Sequence, residues 1–215
     1  DASVSSVDPT QVSFSGRTQL TKGTTIAQGG DRVIAIDKVQ GTIRAAKTKS
    51  AGSLTAAAPV VSGMPDVVAV VGQDGAIHAA SATSKSLVSL EANDKGWEEA
   101  TNTSLKLTSG TDLAITAVGD KPVVLERSTG ILHLPEGKTV NLDTSGLALQ
   151  QPGPDADSVL VASRNELISV PLDGGKVTRT PSSKEKSAPE GVAAQPVRLG
   201  KCVYAAWSGS GQFVR

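Results

Sequence analysis

Two histidines are the only imidazoles of the chain, and they fall at matching places in similar strings, Ala76-Ile77-His78 and Ile131-Leu132-His133. Imidazoles at equivalent positions of neighbouring repeats can converge on a metal. Such a site needs three or four ligands with supporting hydrogen bonds, and no spacing marks the others. His78 and His133 therefore read as polar-face residues of strands, pointing opposite to Ile77 and Leu132. Asp-Gly pairs occur in Gln73-Asp74-Gly75 and Leu172-Asp173-Gly174-Gly175 without the alternating carboxylates and closing glutamate of a calcium loop. Asp-Gly is first of all a hairpin turn. Ser208-Gly209-Ser210-Gly211 lacks the first glycine of a nucleophile elbow and precedes no helix. Gly29-Gly30 leads into a strand, so no phosphate cradle forms there. No catalytic residue, metal ligand or cofactor is expected.

The five aromatics are Phe14, Trp97, Tyr204, Trp207 and Phe213. Tyr204 and Trp207 share a strand with Cys202 and suit a place in the core or between sheets. Trp97 stands in a polar stretch beside Glu98 and Glu99, and is the aromatic expected to be exposed. Trp97, His78 and His133 are thus the residues nominated for contact with a ligand or partner.

The elements that must position these residues are strands. Of 215 residues, 24 are Val, 8 Ile and 19 Thr, so β-branched residues make up about a quarter of the chain. Glycine (22) and proline (11) are scattered as turn punctuation. The best helical stretch, Lys85–Ala100, is broken by Asn93, Asp94 and Gly96. The chain reads as all-β. Lys and Arg (21) balance Asp and Glu (21), which removes the broad electrostatic case for nucleic acid or an anionic membrane surface. One cysteine excludes an internal disulfide framework, and no apolar run approaches the length of a membrane span. The sequence starts at Asp1 without methionine and reads as a single domain, 1–215, cut from a longer protein.

Five segments repeat one pattern of an apolar strand, a polar turn and a second short strand. They are Asp31-RVIAIDKVQG-TIRAA, Pro65-DVVAVVGQDG-AIHAA, Asp120-KPVVLERSTG-ILHLP, Ala156-DSVLVASRN-ELISVP and Gly200-KCVYAAWSGSG-QFVR. Their mean step, roughly 42 residues, is that of a four-stranded propeller blade. The unit is clearest as strands at Leu113–Val118, Pro122–Glu126, Gly130–Leu134 and Lys138–Leu142. A meander of four strands cannot bury two faces alone, so copies must stack. The expectation is a β-propeller with about five blades in this piece, either closed or part of a larger, seven-bladed ring. Loops are expected at 47–54, 93–96 and 181–192.

The tail Gly200-KCVYAAWSGSGQFVR, with Gly119-DKPVVLERSTGILHLPEG and Leu149-QQPGPDADSVLVAS, resembles the propeller region of large actinobacterial envelope proteins named for their fibronectin type III and Ig-like domains. The resemblance spans most of the chain. It implies an extracellular or envelope location, with tethering to the membrane through the parent protein. It implies no defined activity. On this reading the module is non-catalytic and serves recognition or scaffolding, with an unknown protein or cell-wall partner, no nucleic acid, no membrane insertion of its own, and a monomeric state. The rival is a glycan-active enzyme with convergent carboxylates. The related proteins often carry a cysteine just after the equivalent of Arg215, so Cys202 either pairs beyond this piece or is a buried thiol.

Two structural expectations complete the reading. The core should consist of the second strands of the repeated sheets: Val33, Ile34, Ile36, Val67, Val68, Val70, Val123, Val124, Leu125, Val159, Leu160, Val161 and Val203. The N-terminal strands Ala2–Val7 and Thr10–Ser15 should complete the blade formed by Val197–Phe213, with Val12–Phe14 against it.

Overall fold

The computed structural model describes residues 2–8, 13–94, 96–98, 101–108, 112–183 and 190–215. Contacts group the chain into two compact units, Asp1–Ser104 and Leu105–Arg215. In the first, β1 (Ala2–Asp8) and β2 (Ser13–Leu20) pair as a two-stranded ribbon. β3 (Thr25–Gly29), β4 (Arg32–Asp37), β5 (Thr42–Lys47) and β6 (Pro59–Val61) form the first four-stranded meander. β7 (Val68–Val71), β8 (Ile77–Ser81) and β9 (Ser86–Leu90) begin the second. A small hairpin follows, of β10 (Ala92–Asn93) and β11 (Gly96–Trp97), before β12 (Thr101–Ser104) closes the sheet against β9.

The second unit holds three sheets. β13 (Leu113–Val118), β14 (Lys121–Glu126), β15 (Ile131–His133) and β16 (Thr139–Asn141) form one. β17 (Ala148–Leu149), β18 (Ser158–Ala162), β19 (Glu166–Pro171) and β20 (Thr178–Pro181) form the next. In the last, β21 (Val192–Ala193) and β22 (Val197–Leu199) both pair with β23 (Cys202–Ser208). β24 (Gln212–Val214) lies along the other side of β23, since Trp207 pairs with Ala193 and with Gln212. That sheet therefore has three ranks, the first one interrupted.

Eleven of the thirteen expected core residues are buried; Val68 and Val203 are only half-buried. Apolar side chains fill the space between sheets. In the second unit Leu125 and Leu132 of one sheet share a cluster with Val159, Ile168 and Val170 of the next. Backbone bonds also pass between these sheets: Gly153 N donates to Ala117 O and Gly119 N to Gly153 O, each at 3.0 Å.

The repeat is more regular than the sequence strings imply. Val67–Val71 reads as the second strand of its unit, but β7 is the first strand of its sheet and packs against β3 and β4. The second strands begin at Arg32, Ile77, Lys121, Ser158 and Cys202, which spaces them by 45, 44, 37 and 44 residues. The strings themselves start 34, 55, 36 and 44 residues apart; reading the second hairpin a strand out of phase accounts for the 34 and the 55, and the short third step remains.

Two other expectations are corrected. Residues 48–53 form a 3-10 segment rather than an exposed loop, with Ala51 and Leu54 buried beneath the β1–β2 ribbon. Among the described residues the ribbon strands pair with each other, as a two-stranded sheet of their own. Val4 and Leu20 find their apolar cover on that 3-10 segment, so the ribbon is satisfied locally. Val12 lies outside the described residues, as do 184–189 of the 181–192 loop and Lys95 of the 93–96 loop.

Close approach of neighbouring sheets requires glycine at position 29. A Cβ there would lie 2.5 Å from the carbonyl oxygens of both Val71 and Gly72, backbone atoms that no rotamer change can move. Gly29→Ala should destabilise the first unit by about 1–3 kcal/mol, the usual cost of overpacking. Urea unfolding would read this as a lower midpoint with an unchanged slope. Val39→Ser, at a residue 89% exposed, should leave the midpoint in place.

Candidate functional site

His78 and His133 both stand on strands next to a turn, and both are buried, at 3% and 6% exposure. Alternation does point them opposite to Ile77 and Leu132, but that second face is covered as well. The polar face on which they were expected is an internal one. Each imidazole is held by a cross-strand or same-sheet partner. His78 Nδ1 and Ser89 Oγ are hydrogen-bonded at 2.8 Å across the β8–β9 pair. His133 Nε2 donates to Glu126 Oε1 at 2.7 Å.

Glu126 is fully buried at the end of β14. Its other oxygen accepts from Thr129 Oγ1 at 3.3 Å and from the Thr108 backbone N–H at 3.4 Å. A buried carboxylate is tolerated when hydrogen-bond donors meet its lone pairs. This one stitches the β14–β15 turn and the incoming chain to the sheet. Sequence reasoning missed Glu126, although its place seven residues before His133 on adjacent strands of one hairpin was a usable signal.

Trp97 is half-buried, not exposed as its polar neighbours suggest. It packs on the apolar cluster of the first unit. The Arg32 guanidinium lies 4.9 Å from its ring centroid, close enough for a cation–π contact. Arg32 Nη2 also donates to Asn93 O at 2.9 Å, and its Nε lies 3.1 Å from Asp31 Oδ1. The indole Nε1–H of Trp97 is buried and meets no acceptor among the described residues.

The remaining sequence motifs are turns. Asp74 Oδ1 accepts from Ala76 N, and Asp173 Oδ1 from Gly175 N. Ser208–Gly211 joins β23 to β24, with Gly209 and Gly211 at positive φ. Trp207 is 1% exposed and donates from Nε1 to Ser163 O at 2.6 Å, linking the last sheet to its neighbour as expected for a residue between sheets. Cys202 is a half-buried free thiol. The nearby Tyr204 phenol has a raised pKa, chiefly through its hydrogen bond with the Cys202 thiol.

A cleft of about 470 Å³ opens in the second unit between the ends of two sheets, lined by Lys121, Glu136, Lys138, Asp157, Leu172 and Asp173 among others. No motif announces it. Lys121 Nζ donates to Asp155 Oδ1 at 3.2 Å, and Lys138 Nζ to Glu136 Oε2 at 2.9 Å. The hydrogen bond to Asp155 raises the Lys121 pKa, and the one from Lys138 lowers that of Glu136. Both shifts move away from neutral pH, opposite to the tuning a general acid or base needs. Lys121 should therefore deprotonate above the ordinary lysine value in an NMR titration of its ammonium group. Asp155→Asn should bring it back towards that value.

Among the described residues no three His, Cys, Asp or Glu side chains group as metal ligands, and no helix is long and apolar enough to cross a membrane.

Successive four-stranded antiparallel meanders, stacked face to face within each unit, are propeller blades. The fold is a β-propeller. Solved structures agree. The chain is similar to a catalytically inactive virginiamycin B lyase from Staphylococcus aureus with quinupristin, at a TM-score of 0.65 and 13% identity over 98% of this chain and 72% of that one. It is similar to AztD from Citrobacter koseri, at 0.63 and 14% over 99% and 66%. A protein of unknown function from Bacteroides caccae gives 0.55 and 14% over 96% and 80%. No protein-family model and no curated protein matches the chain. At these identities the likeness is one of fold.

Proposed function

We propose that this propeller is a non-catalytic module for recognition or scaffolding, working in the cell envelope or outside the cell as part of a larger protein with fibronectin type III and Ig-like domains. One observation carries the non-catalytic reading. The groups able to do chemistry are engaged in structural contacts: His133 with Glu126, His78 with Ser89, and Trp97 beneath Arg32. Glu126, fully buried, already accepts hydrogen bonds at both oxygens, from His133 and from Thr129 and Thr108, so it is closed to a substrate. The envelope setting rests on the strings from Gly119, Leu149 and Gly200 that resemble actinobacterial surface propellers. Binding on a propeller is carried by the loops at its faces. The module works as a monomer and takes a protein or wall partner rather than nucleic acid, in keeping with its zero net charge.

The test is a retention experiment with the immobilised chain, offered actinobacterial cell-wall fragments and solubilised envelope proteins in parallel. The reading expects retention from one fraction with no release of reducing ends from the wall polysaccharide. Release of reducing ends would establish the glycan-active alternative. Retention from neither fraction would overturn the recognition role.

A further inference from the structure

The β1–β2 ribbon has two unlike faces. On the inner face Val4 and Leu20 pack over Ala51 and Leu54, Thr18 and Thr55 share a hydroxyl hydrogen bond of 2.7 Å, and Ser6 Oγ donates to Thr48 O at 3.0 Å. Strand alternation sends Ser3, Ser5 and Val7 the other way. The register sets Val7 opposite Phe14, and the two side chains are 56% and 76% exposed. Beside them a groove of about 350 Å³ is lined by Ser3, Ser5, Phe14, Gly16 and Arg17. Arg17 is exposed, and no described residue forms an ion pair or hydrogen bond with its guanidinium.

We propose that this groove binds an acidic saccharide, a sugar ring carrying a carboxylate. The inference deepens the recognition reading and rests on it. The groove combines one flat apolar ring, two serine hydroxyls on the same strand face and one uncompensated cation. A pyranose has the matching set. Its C–H face covers an aromatic ring, its hydroxyls exchange hydrogen bonds with serines that both donate and accept, and its carboxylate takes the planar guanidinium bidentately. The volume suits a ligand of one or two rings. An acidic peptide would supply the charge but not the row of hydroxyls, and an extended strand would bind along the ribbon edge through its main chain rather than on this face.

The experiment is an NMR titration of the 215-residue chain with a galacturonic acid trimer, a neutral galactose trimer and a short glutamate-rich peptide as separate probes. The acidic trimer should shift the amides of β1 and β2. The neutral trimer and the peptide should each bind about tenfold more weakly or worse. Arg17→Gln and Phe14→Ser should each weaken the acidic trimer by about tenfold, while Arg17→Lys keeps part of the affinity. Both side chains are exposed, so melting temperatures should not move. Equal binding of the peptide, indifference to both variants, or no shift with the acidic trimer would overturn the site. If the trimer fails while the chain still retains a wall or protein fraction, the groove assignment falls and the recognition role stands.

Discussion

Replacing His133 with alanine should destabilise the second unit by about 3 kcal/mol, the upper end of the cost of leaving a buried acceptor unmet, because the acceptor is a carboxylate. The loss exceeds that of the 2.7 Å hydrogen bond alone, because it strands the carboxylate of Glu126, which is fully enclosed at the end of β14. Two longer hydrogen bonds, from Thr129 Oγ1 and Thr108 N, remain on the other oxygen and leave Oε1 unmet. Removing both partners should be far milder. Glu126→Leu combined with His133→Leu trades the pair for apolar volume in a site walled by strands, and such exchanges are often near neutral. Urea unfolding of the two variants checks this. A His133→Ala variant within about 1 kcal/mol of the parent would show that the pair contributes no more than an exposed one.

Trp207→Ala should cost a similar amount, about 3–5 kcal/mol, by emptying the space of a large side chain. Trp207 lies at 1% exposure against Leu160, Ala162 and Leu167 of the adjoining sheet. Its indole also satisfies the Ser163 carbonyl. Trp207→Phe keeps most of the volume and isolates that bond, whose loss leaves a buried acceptor unmet at about 1–3 kcal/mol. Thermal melts of the two variants should therefore be well separated. Equal melting temperatures for Trp207→Phe and the parent would mean that the carbonyl finds another donor.

Most of the architecture was legible because burial in strands leaves a period-2 or continuous apolar trace. The strands at 113–118 and 121–126 fall within one residue of their expected bounds for that reason. Rank within a sheet leaves no such trace. Val67, Val70 and Val71 are buried because a neighbouring sheet covers β7, and the sequence cannot distinguish that from burial in mid-sheet. The histidines illustrate the same limit. Alternation gave their direction correctly, but whether the second face meets water depends on the neighbouring blade. Trp97 was misjudged because its cover, Arg32, comes from 65 positions earlier in the chain. Leu54 was hidden in a stretch with the composition of a loop. The cleft around Lys121 and Lys138 has no local pattern, since strand ends and turns from two sheets assemble it.

Arg32 joins elements that are remote in sequence: it belongs to β4 of the first sheet, yet it bonds Asn93 and covers Trp97 in a hairpin inserted within the second. Such a tie makes two sheets open together, because freeing either one strands a nearly enclosed guanidinium. In native-state hydrogen exchange, amides of β4 and β8 should then report one common opening event. Arg32→Met, which keeps the stem and removes the tie, should let the β10–β11 amides exchange ahead of the rest while β18 and β19 keep their protection. A small inserted hairpin thus acts as the fastening that makes one half of the chain a single cooperative unit.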